Sequence, residues 1–444
     1  MLATRLDIDA EHELIECLAE ARLRTDELFG LLRPDSFYER PIPERHRIIF
    51  YLGHLEAFDW NLLRLSVLEA QVFDPEFDRL FAFGIDPVGG GLPSDQPTDW
   101  PGVEDVRRYV GRVRQILDAK LASSIHSDSK SGSEFPPSLL LNVAVEHRLM
   151  HAETLTYMLH RLPIDRKVPQ AVQPESVFPT VEPAMVKIPA GSTTLGLPRG
   201  DDSVFGWDNE YEAHLVSVPA FAIDWYKVTN RQYLEFMEAG GYENQALWNA
   251  ADWNWKNEHS ISHPAFWKRT NEDWYYRTMF REVPLPLDWP VYVSHAEAAA
   301  YARWSKNSLP TEAQWHRAAY GSRDGFERPY PWGGEPPSGK RGNFDFRGWD
   351  PTPVNAFPEG LSTFGVADLL GNGWEWTSSQ FEPFPGFKPF PFYPGYSADF
   401  FDGKHYVLKG GSARTAACML RRSFRNWFQP HYQYVYASFR CVSN

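Results

Sequence analysis

Apolar positions over the first 165 residues recur at helical spacing. Between residues 10 and 31 they fall at Leu14, Ile15, Leu18, Ala21 and Leu28, which predicts one amphipathic helix. The same pattern predicts a second helix over 44–68, entered after Pro41 and Pro43. A third is predicted over 103–121 with Pro101 near its start, and a fourth over 138–162 behind Pro136 and Pro137. Four helices of this kind make a four-helix bundle. The second and third are joined by a long connection holding Gly89-Gly90-Gly91 and Leu92-Pro93. The third and fourth are joined by SSIHSDSKSGSEFPPS, whose Ser-rich composition predicts a mobile loop.

Helical periodicity stops near Leu162, and residues 166–182 are Pro-rich without a period, as expected of an interdomain connection. From 183 to 444, short strand-like runs alternate with long Gly-, Pro- and Trp-rich loops. Two helices stand out there: RQYLEFMEAGG behind Thr229 as N-cap, closed by a glycine pair, and HAEAAAYARWS behind Ser294. No repeat of fixed period is present. The fold class is α+β, with a bundle over 1–165, a connection over 166–182 and a loop-rich domain over 183–444.

Composition adds two constraints. Aromatic residues make up 15% of the chain, enough both to cover loop-rich structure and to line a pocket for a cation. The formal net charge of −14 is spread along the chain, which disfavours nucleic acid and anionic membrane surfaces as partners. The opening MLATRLDIDAEHELIE carries charges where a signal peptide needs an apolar core, and no apolar run approaches the ~20 residues that span a bilayer. Cys17, Cys418 and Cys441 form no closely spaced pair, which fits a reducing compartment. The expectation is a cytoplasmic protein.

Candidate chemistry is concentrated in the histidines. The fourth helix reads EHRLMHAETLTYML, so His147 and His151 lie four apart and share a face within reach of one metal ion. Glu153 lies roughly 200° further round from His151 and is a poor third ligand. The second helix offers His54 in an apolar stretch of Phe50, Tyr51, Leu55 and Phe58, next to Gly53, where a close approach is possible. Neutral imidazole suits zinc, iron, copper and nickel, so the triad alone leaves the metal open. An HxxxH pair by itself is also common as satisfied structural histidines.

The C-terminal half carries MVKIPAGSTTLG, YKVTNRQYLEFMEAGGY, WPVYVSHAEAAAYARWS, LPTEAQWHRAAYG, YPWG and GNGWEWTSS, followed by VLKGGSARTAACMLRRSFRNWFQPHYQYVYASFRCV. In this order they resemble formylglycine-generating-enzyme-like domains. That resemblance implies a C-type-lectin-like fold with a structural Trp374-Glu375-Trp376. The N-terminal HxxxHxE resembles the DinB-type metal-binding bundle. The two together are similar to the ergothioneine-pathway sulfoxide synthases (EgtB-type). The resemblance implies that His54, His147 and His151 hold Fe(II), with O2 as cosubstrate. Hercynine, the betaine of histidine, would receive a sulfur donor on its imidazole ring.

Further roles follow from that resemblance. Tyr393 or Tyr396 in FPFYPGYSADFFDG would donate a proton to reduced oxygen. Trp427, Phe428 and the Trp374 region would face the quaternary ammonium, with core packing the alternative for Trp374. Asn426 would bind carboxylate or imidazole. Arg421, Arg422 and Arg425 are candidates for the carboxylate of the second substrate. The subgroup using γ-glutamylcysteine has a glutamine where this chain has Met150, and an aspartate where it has Phe428. The ending is more similar to the cysteine-using subgroup, and selenoneine synthases (SenA-type), which take a selenosugar, share the architecture. A zinc-dependent DinB-type thiol transferase is the alternative without O2. Cys418 and Cys441 lack the close spacing that formylglycine generation on a sulfatase would need.

Overall fold

The computed structural model describes residues 2–64, 73–82, 92–124, 135–170, 178–200 and 204–443. It divides into two compact units, Met1–Ala171 and Val172–Asn444.

The N-terminal unit is built on α1 (Leu2–Gly30), α2 (Ile48–Leu63), a short α3 (Pro75–Leu80), α4 (Val103–Ser124) and α5 (Pro137–Arg161). Each of the four long helices contains most of the segment predicted for it. The second begins at Ile48 rather than at residue 44, because the chain after Pro41 and Pro43 first makes a turn closed by Ile48 N–H donating to the Glu39 carbonyl. Its expected extension to 68 runs into 65–72, outside the described residues, as do the glycine triplet and most of the Ser-rich stretch. The short α3 was not foreseen; Pro75 follows its Asp74 cap, whose carboxylate accepts from Phe77 N.

In α1 the buried residues Leu18, Ala21, Thr25 and Leu28 recur at three- and four-residue steps, and this face packs on α5. Helix α4 repeats the pattern with Val106, Tyr109, Val113, Leu117 and Leu121 against α2. Helix α2 is buried nearly all round, as befits an element between α4 and α5. It nevertheless carries Glu56 and Asp59, both at most 1% exposed. Their partner is Arg148 of α5, which donates to Asp59 Oδ2 at 2.6 Å and to the Leu55 carbonyl at 3.0 Å. Arg148 also sits 3.0 Å from Glu56 Oε1, while Arg114 of α4 donates to the same carboxylate at 2.8 Å. Burial alone would raise the Glu56 carboxyl, but Arg148, Arg114 and Arg22 hold it below the usual range.

The C-terminal unit alternates small sheets and helices. In chain order these are β1 (Met185–Ile188), β2 (Gly191–Leu195), β3 (His214–Val218), β4 (Phe221–Asp224), α6 (Asn230–Glu238), α7 (Ala250–Glu258), β5 (Trp267–Thr270), β6 (Asp273–Arg277), β7 (Glu282–Pro284), α8 (His295–Trp304) and α9 (Glu312–Tyr320). There follow β8 (Trp374–Gln380), β9 (Tyr406–Lys409), β10 (Asn426–Phe428), β11 (Ala437–Ser438) and β12 (Val442–Ser443). The largest sheet has the order β10-β9-β8-β11, with Trp427 opposite Val407 and Glu375 opposite Lys409. A second joins β12, β4 and β1. Thr229 and Ser294 cap α6 and α8 as predicted, each in a reciprocal capping box. Helices α7 and α9 were missed, although Thr311-x-x-Gln314 spells the same box in front of α9.

Ile188, Ile223, Trp315, Phe344, Leu369 and Val442 form the apolar core between β1, β4 and α9. Glu375, fully buried in the WEW strand, takes Arg440 at 2.6 and 2.8 Å, Trp315 Nε1 at 2.9 Å and Lys227 at 3.2 Å. The structural role expected of this motif is thus an ion cluster in the core. Among the described residues no helix is long and apolar enough to cross a membrane, and none of the three cysteines is joined in a disulfide.

Removing Arg148 would strand Asp59 inside the bundle and leave Glu56 to Arg114 and Arg22 alone. Arg148→Met is expected to lower stability by about 3–5 kcal/mol, the usual cost of breaking a buried pair from one side. Urea denaturation of the metal-free chain measures this, and a loss under about 1 kcal/mol would contradict it.

Candidate metal centre

The three predicted histidines converge. His54 of α2 and His147 and His151 of α5 are each at most 3% exposed, and one nitrogen from each lies within 4.8 Å of the others. His147 Nε2 and His151 Nε2 are 3.1 Å apart. Two metal–imidazole bonds of ~2.1 Å at a right angle would set their nitrogens ~3.0 Å apart, so this pair fits adjacent ligands of one ion. Glu153 is buried but lies outside the cluster.

Local packing fixes His54. Its Nδ1–H donates to the Phe81 carbonyl at 2.7 Å, which leaves Nε2 with the lone pair. Phe81 ends α3, and its ring lies against Gly53, where a Cβ would stand 2.5 Å from ring carbons. The close approach predicted at Gly53 is therefore made by Phe81. Phe50 stacks on His54 at 4.8 Å, and Phe58 on His147 at 3.5 Å. Burial in these aromatic surroundings pushes the His54 imidazolium pKa down to about 4 and those of His147 and His151 well below the ordinary value. All three rings are neutral at physiological pH, the form a metal needs. The donor set fits a borderline divalent ion such as iron or zinc, with coordination positions to spare for other ligands.

Within the C-terminal unit the remaining candidates fall into two groups. Tyr393, Tyr396 and Trp427 come together: Tyr393 and Tyr396 have ring centroids 5.5 Å apart, and Tyr396 meets Trp427 edge-on at 5.5 Å. Trp427 also stacks on Phe381 at 4.1 Å, and all three candidate rings are half-buried. Phe428 stacks instead on Tyr432 at 4.9 Å. Asn426 accepts from the Trp427 amide at 2.9 Å.

The other group is committed elsewhere. Trp374 is 1% exposed and packs against Phe424, so its contribution is to the core, the alternative that the sequence also allowed. Arg425 is 3% exposed, 3.1 Å from Glu312 and 4.1 Å from the Phe384 ring centre. Arg421 donates to Glu210 at 2.8 Å and Arg422 to Glu327 at 3.0 Å. A substrate carboxylate would have to displace an internal one from each. Sequence reasoning missed these carboxylates because they lie some 95–211 residues away along the chain.

Comparison with known proteins agrees with this architecture. The sulfatase-modifying factor enzyme 1-like domain matches residues 170–444 and the DinB superfamily matches residues 18–155. A protein of Mycolicibacterium thermoresistibile named hercynine oxygenase is 38% identical over 96% of this chain and 94% of its own length. The chain belongs to the EgtB-type family. A second hercynine oxygenase, from Mycolicibacterium smegmatis, is 35% identical over 97% of this chain and 98% of its own. That of Mycobacterium tuberculosis is 40% identical over a match covering 55% of this chain and 57% of that protein. The EgtB-type chain therefore combines a DinB-like helical unit and a formylglycine-generating-enzyme-like unit in one α+β protein.

The Gly53–Phe81–His54 contact makes a direct prediction. Gly53→Ala must displace the Phe81 ring and with it the carbonyl that orients His54. Divalent-metal affinity is expected to fall by about 10–100-fold, the usual effect of losing an outer partner of a ligand histidine. Titration of the metal-free chain with iron(II) under nitrogen measures it, and an unchanged affinity would contradict this role for Phe81.

Proposed function

We propose that this chain is a nonheme iron(II), O2-dependent synthase that joins a sulfur or selenium donor to the imidazole ring of hercynine. Cysteine is the favoured donor, giving a hercynine–cysteine sulfoxide, and a selenosugar is the second reading. The observation that carries the proposal is the buried triad of neutral imidazoles in a chain related end to end to hercynine oxygenases. Held by these three imidazoles, iron(II) would supply the redox chemistry that reduces O2.

The chain's own residues then have four tasks. His54, His147 and His151 present lone pairs that burial protects from protonation. Trp427 and Phe428 offer aromatic faces to the trimethylammonium, each contact contributing ~0.5–2 kcal/mol. Asn426 is a hydrogen-bonding candidate for substrate carboxylate or imidazole. Tyr393 or Tyr396 delivers a proton to oxygen as it is reduced. Met150 and Phe428 depart from the glutamine and aspartate that the resemblance ties to γ-glutamylcysteine, which speaks against that donor.

Reconstitution with iron(II) under nitrogen, followed by O2 uptake with hercynine and each donor, tests the reading. Uptake is expected only with iron, hercynine and donor together, and mass spectrometry should find the donor's sulfur or selenium on the imidazole. His54→Ala is expected to lower turnover by more than about 100-fold, since outer-partner losses alone reach that range. Full activity with zinc and no O2 consumption would sink the proposal in favour of a thiol transferase.

A further inference from the structure

Residues 207–210, Trp-Asp-Asn-Glu, form a turn buried to 1% exposure or less although three of the four side chains are polar. Such a turn is tolerable only if most of its polar atoms are bonded. Its bonds run to two separate segments. Towards the loop between β8 and β9, Asp208 accepts from Ser397 Oγ and Asn209 Nδ2 donates to the same oxygen at 3.0 Å. Trp207 stacks on the neighbouring Tyr396 at 3.9 Å. Towards the segment entering β10, Glu210 accepts from Ser423 Oγ at 2.6 Å and from Arg421 Nε at 2.8 Å. The Asn209 carbonyl accepts from Arg425 at 3.3 Å.

The turn thus ties together the segments that carry Tyr393 and Tyr396 on one side and Asn426 and Trp427 on the other. The need is physical. Between residues 381 and 405 the loop's regular structure is a single 3-10 turn, Ala398–Phe400, so no sheet ladder sets its course. Side-chain bonds must offset the entropy of ordering it.

We propose that Asp208 is a positioning residue of the reaction, acting through Ser397 to hold Tyr396 edge-on to Trp427. This rests on the synthase reading above. Burial pushes the Asp208 carboxyl up to about 6, while Ser397 and the amides of Asn209 and Phe390 hold it back. Its carboxylate form is a strong acceptor for the hydroxyl. Asparagine at the same place would keep an acceptor oxygen, and alanine would not.

The test uses the full iron-loaded chain and the variants Asp208→Ala, Asp208→Asn, Ser397→Ala and the Asp208→Ala/Ser397→Ala double variant. Two readouts are taken: hydrogen exchange of peptides across 390–400 with α5 as the control, and kcat and KM for hercynine. Asp208→Ala and Ser397→Ala should each speed exchange across 390–400 by about 10-fold, a loss of ~1.4 kcal/mol of local protection, with α5 unaltered. They should lower kcat by about 10-fold or more while KM and iron content hold. The double variant should be no worse than Asp208→Ala alone, because the two act as one unit. Asp208→Asn should recover most of the lost kcat. Unaltered exchange in Asp208→Ala overturns the proposal, as does raised exchange with unaltered kcat, or additive losses in the double variant. If instead the wild-type chain turns over hercynine with no donor, the synthase reading fails and the proposal with it, whatever the loop does.

Discussion

Three imidazoles that each bring a nitrogen within 4.8 Å of the others can hold a metal only while all of them are neutral. The bundle enforces this by burial. Phe50, Phe58 and Phe81 surround the rings, no carboxylate joins the cluster among the described residues, and the histidine pKa values are driven down by desolvation. A water-exposed triad would be partly protonated near pH 6.5 and would hold a metal poorly there. The single directed contact that sets one ring's tautomer, His54 to the Phe81 carbonyl, depends on a glycine that lets α3 come close.

The same two helices carry charges on other faces. Glu56 lies roughly 200° round α2 from His54, and Arg148 about 100° round α5 from His147. Bonded to each other, to Asp59 and to Arg114, they tie α2 to α5 on a side away from the imidazoles. Helix register is thereby fixed by an ion cluster, and the metal ligands are left in an apolar setting. The C-terminal unit uses a comparable device, with Glu375 holding Arg440, Lys227 and Trp315 behind β8. Large loops can then be carried on small sheets because their roots end in buried charge pairs.

Much of this was legible in the chain. The period of Leu18, Ala21 and Leu28, and the prolines before α4 and α5, announce the bundle, because helix amphipathicity and proline entry are local properties. His147 and His151 can be paired from spacing alone, and His54 from its apolar neighbours. The motifs of the C-terminal half carry the domain type. What could not be read is non-local. Arg421, Arg422 and Arg425 look like carboxylate receptors until Glu210, Glu327 and Glu312 are brought to them from distant turns. The Trp207–Glu210 turn gave no signal, since a buried polar turn has the composition of an exposed one. Helix α7 was hidden by Trp-rich sequence, and α9 was passed over although the capping box at Thr311 was available.

The proposed function stands on His54, His147 and His151 together binding one iron(II) ion. X-ray absorption at the iron edge, on the anaerobically loaded wild-type chain and on His151→Ala, tests it most directly. One iron per chain is expected, with three imidazole nitrogens at about 2.1 Å, close to the usual metal–histidine distance, and two in the variant. An iron environment without imidazole scattering, or one that His151→Ala leaves unaltered, would contradict it.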